Sequence, residues 1–375
     1  MNIGVFGLWG MNVPDVSFGG FETGFSEISA RLVEKGHEVT IFCRKNSYPP
    51  DKRLNSYRGV KLVYIPSVKS KNFGNIVATA NALIHSFRKE DFDLYFFVNV
   101  GMGFHCLWAK LFGKKAILNV DGLDWKRAKW SIFGKVYFFL AAQTAVKFCD
   151  CLISDSKGIQ DFYSKEFNRD TVFIAYGANI ETSQNPSLIE QCGVKPFQYY
   201  LIASRLVPEN NPDLIISAFE KLKTDKKLLI AGGARYDDSF YQKITSTKDK
   251  RIMFTGHIDS AETIKELHCN CYAYIHGHSV GGTNPALLKA LGYGNCILAL
   301  NVPYNSEVLL DYGITFNRNM EDLLNKLQFV ENNPDIVSEY RRLSPERIKE
   351  AYTWEFIVDE YEQLFKKFVP TVPSL

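Results

Sequence analysis

The segment from His276 to Asn295, HGHSVGGTNPALLKALGYGN, combines residue types that suit an anionic ligand. It follows a short apolar run and continues into a helical pattern, which predicts a strand, a glycine-rich turn and a helix. Such a turn directs backbone N–H groups and the positive end of a helix dipole at one point, so it favours a phosphate or a diphosphate. An ordinary strand-to-helix turn would have a similar composition. The residues predicted to contact an anion here are Gly281, Gly282, Thr283 and Asn284.

Arginine and histidine side chains in the same half of the chain could contact that ligand. Arg205 is predicted to end a buried apolar strand, where an arginine is costly unless it is paired, and its planar fork could bind a diphosphate. An ion pair with Glu209 is the alternative. His276 and His278 share one face of a strand, which would suit a metal. Because no third ligand group accompanies them, hydrogen bonding to a ligand is favoured.

The first half of the chain contains two segments of the same kind. Gly19 and Gly20 precede a helical pattern and could form a second anion site, although glycines are common before a first helix. Asp121 follows a predicted strand within NVDGLDWKRAKW (119–130). A carboxylate there can accept a hydrogen bond from a sugar hydroxyl or act as a base, while a helix cap or a turn is the alternative.

Strand and helix patterns alternate along the chain, which predicts parallel sheets covered by helices. The fold class is therefore predicted as α/β, with two doubly wound domains whose strand ends face a cleft. The predicted domains are residues 1–180 with a C-terminal helix over 354–370, and residues 181–353, separated at a polar stretch over 181–196. The predicted strands are Ile3–Phe6, Val39–Cys43, Lys61–Ile65, Leu94–Val98, Ala116–Val120, Cys151–Ser154, Val172–Ala175, Tyr199–Ala203, Lys227–Ala231, Arg251–Phe254, Cys271–Ile275 and Cys296–Leu300.

Composition limits the classes of protein to consider. The hydrophobic fraction of 46% and the charged fraction of 23% are typical of a globular protein. No apolar run reaches the roughly 18–20 residues of a membrane span. The N-terminal sequence lacks the features of a signal peptide. The eight cysteines include no C-x-x-C pair, so we expect reduced thiols and a cytoplasmic protein.

Charge is distributed unevenly between the two halves. Residues 1–180 contain 23 Lys/Arg and 16 Asp/Glu, whereas the remainder contains 21 and 25. The excess of cations in the first half suggests an anionic partner, and a nucleic acid is poorly supported because no aromatic RNA-binding signature is present. Residues 126–148 mix lysines with aromatic residues, which is typical of contact with an anionic lipid surface but equally of a buried helix with a basic start.

Seven ordered motifs resemble glycosyltransferase family 4, and within it the bacterial β-rhamnosyltransferases of capsule and O-antigen synthesis. The resemblance implies a GT-B fold, a nucleotide-sugar donor, retention of configuration at the anomeric carbon, and neither a catalytic metal nor a cofactor. It further implies dTDP-L-rhamnose as donor and a lipid-linked saccharide as acceptor. The motifs are GGFET (19–23), GHEVTIFCR (36–44), DGLDWKRAKWS (121–131), SDSKGI (154–159), IAYGA (174–178), RLVPENNPD (205–213) and HGHSVGGTNPALLKA (276–290).

The resemblance also implies roles for single residues. Arg205 would hold the donor diphosphate with backbone N–H groups of Gly282, Thr283 and Asn284. Gly19 and Gly20 would admit the phosphates and the sugar, the backbone at His257 and Ile258 would meet the base, and His278 would approach the donor sugar. Asp121 stands where many members have a histidine near the sugar. The residues expected to contact the acceptor are Glu22, Asp124 and Trp125.

Three positions depart from the family pattern. Two glutamates that the family usually carries are replaced by Gly281 and Lys289, and Asn210 stands where many members have a lysine on the phosphates. The second glutamate normally binds ribose hydroxyls, and a lysine cannot accept those hydrogen bonds. A deoxyribose would be affected less. A UDP- or GDP-sugar donor, or a homologue that binds a nucleotide sugar without turning it over, are therefore alternatives, and an epimerase of similar architecture is a third.

Overall fold

The computed structural model describes residues 1–70, 73–127, 130–233 and 239–369, which form two compact units. The first unit consists of Met1–Tyr176 and the C-terminal segment that begins at Trp354, and the second is Gly177–Thr353. The polar stretch over 181–196 therefore lies inside the second unit. The reason is Glu266, a fully buried residue whose carboxylate accepts hydrogen bonds from the backbone N–H groups of Gln184 and Asn185 at 2.7 and 2.9 Å.

The first unit is built on an eight-stranded sheet in the order β3-β4-β2-β1-β5-β6-β7-β8. All neighbours are parallel except β3 and β4. The strands are β1 (Asn2–Phe6), β2 (Glu38–Arg44), β3 (Ser56–Tyr57), β4 (Val60–Ile65), β5 (Leu94–Val98), β6 (Ala116–Asn119), β7 (Cys151–Ser154) and β8 (Val172–Phe173). The helices are α1 (Gly20–Glu34), α2 (Gly74–Lys89), α3 (Gly103–Leu111), α4 (Ile132–Phe148), α5 (Lys157–Phe167) and, at the end of the chain, α13 (Trp354–Phe368).

The second unit contains a six-stranded parallel sheet in the order β11-β10-β9-β12-β13-β14. The strands are β9 (Tyr199–Ala203), β10 (Lys227–Ala231), β11 (Ile252–Gly256), β12 (Ala273–His276), β13 (Ile297–Leu300) and β14 (Ile314–Phe316). The helices are α6 (Pro212–Lys221), α7 (Ser239–Thr245), α8 (Ala261–Asn270), α9 (Pro285–Gly292), α10 (Pro303–Leu309), α11 (Met320–Asn332) and α12 (Pro334–Ala351).

The α/β, doubly wound prediction is confirmed, and every predicted strand is present within a few residues of its predicted bounds. Two strands were missed, β3 and β14. They contain two and three residues, which is too short for a periodic pattern. The central strands were recognisable because a parallel strand covered on both faces is a continuous apolar run; β5, for example, is LYFFV and wholly buried.

In both sheets the strand order reverses between two parallel neighbours. The reversal lies between β1 and β5 in the first unit and between β9 and β12 in the second. Connections leave such a pair of strands in opposite directions, so a crevice opens at their carboxyl ends, and ligands of doubly wound folds bind there. The segments after β1, β5, β9 and β12 are therefore the first places to look for a site.

The C-terminal helix α13 packs on α1 within the first unit. Its apolar stripe is buried, and its polar face pairs with the end of α1: Lys35 Nζ lies 3.1 Å from Glu362 Oε2, and His37 Nε2 lies 2.9 Å from Oε1. Hydrogen bonds from Lys366, Lys35 and His37 lower the pKa of Glu362 to about 2. The predicted helix over 354–370 thus ends at Phe368, and Pro370 lies outside the described residues.

Candidate functional site

In the second unit, the loops that follow β9 and β12 are joined at the strand-order reversal. The backbone N–H of Ser279 donates to the carbonyl of Glu209 at 2.9 Å, and the Asn211 amide donates to the carbonyl of Gly277 at 2.7 Å. A Cβ at Gly277 would lie 2.3 Å from the carbonyl oxygen of Asn210, so only glycine permits this approach. The two loops therefore form one preorganised surface at the crevice.

Arg205 lies on that surface and is exposed, two residues beyond the end of β9. The prediction that it ends a buried strand was wrong, and with it the argument that burial makes it costly. Asn210, which was expected to contact the donor, is buried and donates from its amide to the carbonyl of Arg205 at 2.8 Å. Asn210 thus fixes the backbone from which the arginine projects.

The glycine-rich turn after β12 leads into α9 as predicted. Gly281 has φ +134°, and among the described residues no atom lies within 4 Å of where its Cβ would be, so the backbone is open to a ligand. Gly282 is partly exposed and Thr283 is buried. Asn284 caps the helix, because its side-chain oxygen accepts a hydrogen bond from the N–H of Ala286 at 2.9 Å. This end of α9 suits an anion.

His276 and His278 are stacked at the end of β12, with ring centroids 4.2 Å apart and an interplanar angle of 13°. Burial, followed by the charge of Arg205, lowers the pKa of His278 to about 3, and burial also lowers the pKa of His276. Both rings are therefore neutral at ordinary pH. Within the described residues, no group of three or more His, Cys, Asp or Glu side chains could hold a metal ion.

His257 and Ile258 follow β11 and line a surface cavity of about 790 Å³. His257 is exposed and its Nε2 lies 3.4 Å from Asp259 Oδ1. Another wall comes from Leu188, Gln191, Cys192 and Gly193, at the end of the 3-10 helix Pro186–Cys192. Sequence reasoning missed this wall because the stretch shows no periodicity. Lys289 lies on the exposed face of α9.

In the first unit, Gly19 is the N-cap of α1 with extended backbone and no side-chain cap, and Gly20 is the first helical residue. Both are exposed. Asn12 braces this end of the helix: its amide donates to Thr23 Oγ1 at 2.8 Å, and its side-chain oxygen accepts from the N–H of Phe18 at 2.9 Å. Glu22 lies in the first turn and is partly exposed. The arrangement is an open helix N-terminus with a carboxylate beside it.

Asp121 is the second residue after β6, and its φ of 57° lies in the left-handed region. The amide of Asn99, which follows β5, donates to Asp121 at 3.3 Å and to Asp124 at 3.1 Å. Asp121 is partly exposed. Asn99 thereby connects the loop after β5 with the loop after β6.

Asp124 and Trp125, which were expected to contact the acceptor, make contacts inside the first unit instead. Asp124 is buried and also accepts from Trp130 Nε1 at 3.2 Å, with Arg127 Nε 3.5 Å away. Trp125 packs among aromatic rings of α4 and α5, namely Phe139, Phe162 and Phe167. These contacts shape the loop after β6. Ala128 and Lys129 of the same motif lie outside the described residues.

Tyr176, at the end of the first unit, is a residue that sequence reasoning did not single out. It is buried, and its hydroxyl has no hydrogen-bond partner among the described residues. Its pKa is raised by burial and then by the charges of Asp121 and Asp155. The only sequence signal was its place in the motif IAYGA.

Two parallel, doubly wound sheets with phosphate-suited loops at their strand ends define a GT-B architecture. Sucrose-phosphate synthase (tll1590) from Thermosynechococcus elongatus has the same fold, with a TM-score of 0.82 at 16% identity over 98% of both chains. Anabaena Alr3699/HepE in complex with UDP and glucose superposes with a TM-score of 0.79 at 14% identity, covering 98% of this chain and 100% of HepE.

Sequence comparison agrees with the architecture. Residues 191–350, which lie within the second unit, match the family model described as Glycosyl transferases group 1. Residues 4–179 match a domain of unknown function, DUF1972. The protein described as the uncharacterized glycosyltransferase MJ1069 of Methanocaldococcus jannaschii is 26% identical over 391 residues, which cover 96% of this chain and 97% of that protein.

Proposed function

We propose that the protein is a retaining glycosyltransferase that moves a sugar from a nucleotide-sugar donor to a saccharide acceptor. In this proposal the donor binds to the second unit, and Asp121 and the open end of α1 are the candidate functional groups of the first unit. The observation that carries the proposal is the joined surface at the β9/β12 reversal. An exposed arginine, an open glycine backbone and a capped helix N-terminus belong to these two joined loops and support the proposal of a diphosphate site.

The proposed donor is dTDP-L-rhamnose, in a pathway of cell-surface polysaccharide synthesis such as that of a capsule or O-antigen. Its support is the resemblance of the seven motifs together with Lys289, which lies exposed on α9 where a glutamate would bind ribose. A lysine leaves a 3′-hydroxyl or 2′-hydroxyl without an acceptor, and a deoxyribose has one hydroxyl fewer. A UDP- or GDP-sugar is the alternative donor.

Thermal unfolding with a panel of dTDP, UDP and GDP nucleotides and their sugars tests the proposal. We expect dTDP and dTDP-rhamnose to stabilise the protein, by about 2.7 kcal/mol at a hundredfold excess over Kd. Turnover of that donor is expected to persist in EDTA, since the proposed mechanism uses neither metal nor cofactor. Lys289→Glu should raise affinity for UDP relative to dTDP by about tenfold, because it restores a ribose acceptor. No stabilisation by any nucleotide would contradict the function.

We propose further that the acceptor is lipid-linked and that the enzyme works at the cytoplasmic face of the membrane. The support is the exposed face of α4, which carries Phe133 (84% exposed), Ile132 (68%) and Val136 (49%). A helix that is apolar on all sides is ordinarily buried. Here the packing partner α3 adds Trp108 and other exposed apolar residues to the surface instead.

The charge of this surface favours an anionic lipid. Neither α3 nor α4 contains an aspartate or a glutamate, whereas Lys135 and Lys147 lie on α4; Lys110 on α3 is paired with Asp150 at 2.8 Å. Apolar side chains in the acyl boundary with lysines at headgroup level are the pattern of a helix that lies on a membrane. Within the described ranges, no helix is both long and apolar enough to cross one.

Sedimentation with lipid vesicles tests this membrane contact. The protein is expected to bind vesicles that contain phosphatidylglycerol more tightly than pure phosphatidylcholine vesicles. Phe133→Glu should weaken binding by at least about tenfold, because it removes about 1.5 kcal/mol or more of apolar burial. Phe329→Glu on α11, which changes another exposed phenylalanine, is the matched control. Equal binding by the two variants would contradict the proposal, as would a dimer that only Phe133→Glu dissociates.

A further inference from the structure

The stacked histidines at the end of β12 are polar side chains beside the apolar core of the second unit. His276 is fully buried, and its Nδ1 lies 3.3 Å from the hydroxyl of Tyr274. When the tyrosine donates to Nδ1, the proton of the His276 ring resides on Nε2. Among the described residues, neither Nε2 of His276 nor Nδ1 of His278 has a hydrogen-bond partner, although both atoms are buried. A buried polar atom normally has a partner, so these two nitrogens indicate where a ligand group belongs.

The backbone of His278 is held from two sides. The Asn305 amide donates to the His278 carbonyl at 2.9 Å, and the N–H of the next residue, Ser279, donates to the carbonyl of Glu209. The ring itself lies flat against His276. The backbone and the ring plane of His278 are therefore held in place before a ligand binds, which favours precise recognition.

The charged and titratable groups around the pair keep both rings neutral. Tyr274 and His268 face His276, and Arg205 faces His278. His268 is itself buried, with its pKa lowered to about 4. Two imidazolium rings 4.2 Å apart beside an arginine would repel each other strongly. A neutral imidazole has one N–H donor and one acceptor nitrogen, so it matches a hydroxyl group, which also donates and accepts.

We propose that the stacked pair is a recognition site for one hydroxyl group of the sugar that is transferred. His278 contacts the hydroxyl, and His276 is the positioning residue that holds its ring flat and uncharged. This inference rests on the proposed glycosyl transfer and names a specificity determinant within it. A neutral ring, which has one donor and one acceptor nitrogen, matches a hydroxyl better than a diphosphate, whose ionised oxygens only accept.

The test uses the donor that the wild-type protein turns over and its monodeoxy analogues, each lacking one sugar hydroxyl. The wild type is expected to lose at least about 100-fold in kcat/KM for one analogue, because a site built for a hydroxyl leaves its polar atoms unpaired when the hydroxyl is absent. In His278→Phe, which keeps an aromatic ring, the ratio between the donor and that analogue should fall to within about threefold. Unchanged discrimination in His278→Phe would overturn the proposal.

The role of His276 needs a variant that removes the stacked ring. His276→Leu combined with Tyr274→Phe removes that ring and both partners of the internal hydrogen bond, so no buried polar atom is left unpaired by the change. We expect this double variant to keep the cooperativity of unfolding and to lose about tenfold of the discrimination, about 1.4 kcal/mol. Tyr274→Phe alone is the matched control and should retain it. A double variant with wild-type discrimination would remove His276 from the site.

Nuclear magnetic resonance of the histidine side chains gives a readout that does not depend on activity. The His278 ring is expected to stay neutral from pH 8 down to about pH 5 in the wild type, and to titrate at a higher pH in His276→Ala, where water reaches it. Titration of wild-type His278 near its ordinary pKa of about 6.5 would overturn the proposal. A wild type that transfers sugars without discriminating any hydroxyl contradicts this inference alone, whereas one that binds no nucleotide sugar contradicts the proposed function as well.

Discussion

Replacement of Arg205 by alanine is expected to lower the turnover of the nucleotide sugar by at least about 100-fold. In the proposed front-side displacement, the bond between the sugar and the diphosphate breaks and negative charge develops on the departing diphosphate. The arginine fork and the N-terminus of α9 stabilise that charge more than they stabilise the bound donor, so their loss lowers kcat. The departing phosphate itself can take the proton of the acceptor hydroxyl, so the step needs no strong protein base.

The stability of the variant separates a chemical role from a structural one. Arg205 is exposed, so its truncation should change the free energy of unfolding by no more than about 0.5 kcal/mol. Arg205→Lys keeps the charge without the planar fork and should recover only part of the rate. Steady-state kinetics and urea unfolding of the three proteins supply the comparison. Near-normal turnover by Arg205→Ala would remove the arginine from the mechanism and weaken the proposed function.

The strands and helices of the fold could be predicted from the sequence, because the buried strands are continuous apolar runs and the helices carry apolar stripes. The stripe of α13 indicated a docking helix, and its packing on α1 accounts for it. What the sequence could not supply was the order of strands within a sheet. The reversal between β9 and β12, which brings the segments 205–211 and 276–284 together, depends on tertiary pairing and leaves no local pattern.

The candidate site was predicted in outline and less well in its side chains. The glycine turn after β12 was recognisable because its conformation needs glycine and an N-cap residue. Three features of the side chains could not be recognised from the sequence, since each depends on a partner elsewhere in the fold. They are the exposure of Arg205, the internal hydrogen bond of Asn210 and the burial of Asp124. Tyr176 was missed for the same reason. A phenol looks like any core aromatic residue until its surroundings are known.

Replacement of Asp121 by asparagine is expected to lower kcat by about 100-fold or more with little effect on the affinity for the donor, since a carboxylate stabilises the positive charge that develops on the sugar as its bond to the diphosphate breaks. Asparagine is expected to fit at this position without a change in the backbone. Asp121 has φ 57°, a conformation that asparagine tolerates as readily as aspartate, and the carbonyl of asparagine can still accept from Asn99. The change therefore removes the charge and leaves the loop in place.

Asp124→Asn is the matched control, because the same Asn99 amide donates to both carboxylates. Asp124 is buried beside Arg127, so its neutralisation should lower the free energy of unfolding by about 1–3 kcal/mol and affect kcat much less than the change at Asp121. Paired measurements of kcat and of urea unfolding distinguish the two carboxylates. If Asp124→Asn lost turnover and Asp121→Asn kept it, the reacting carboxylate would be the buried one. Asp121 would then serve only to shape the loop after β6.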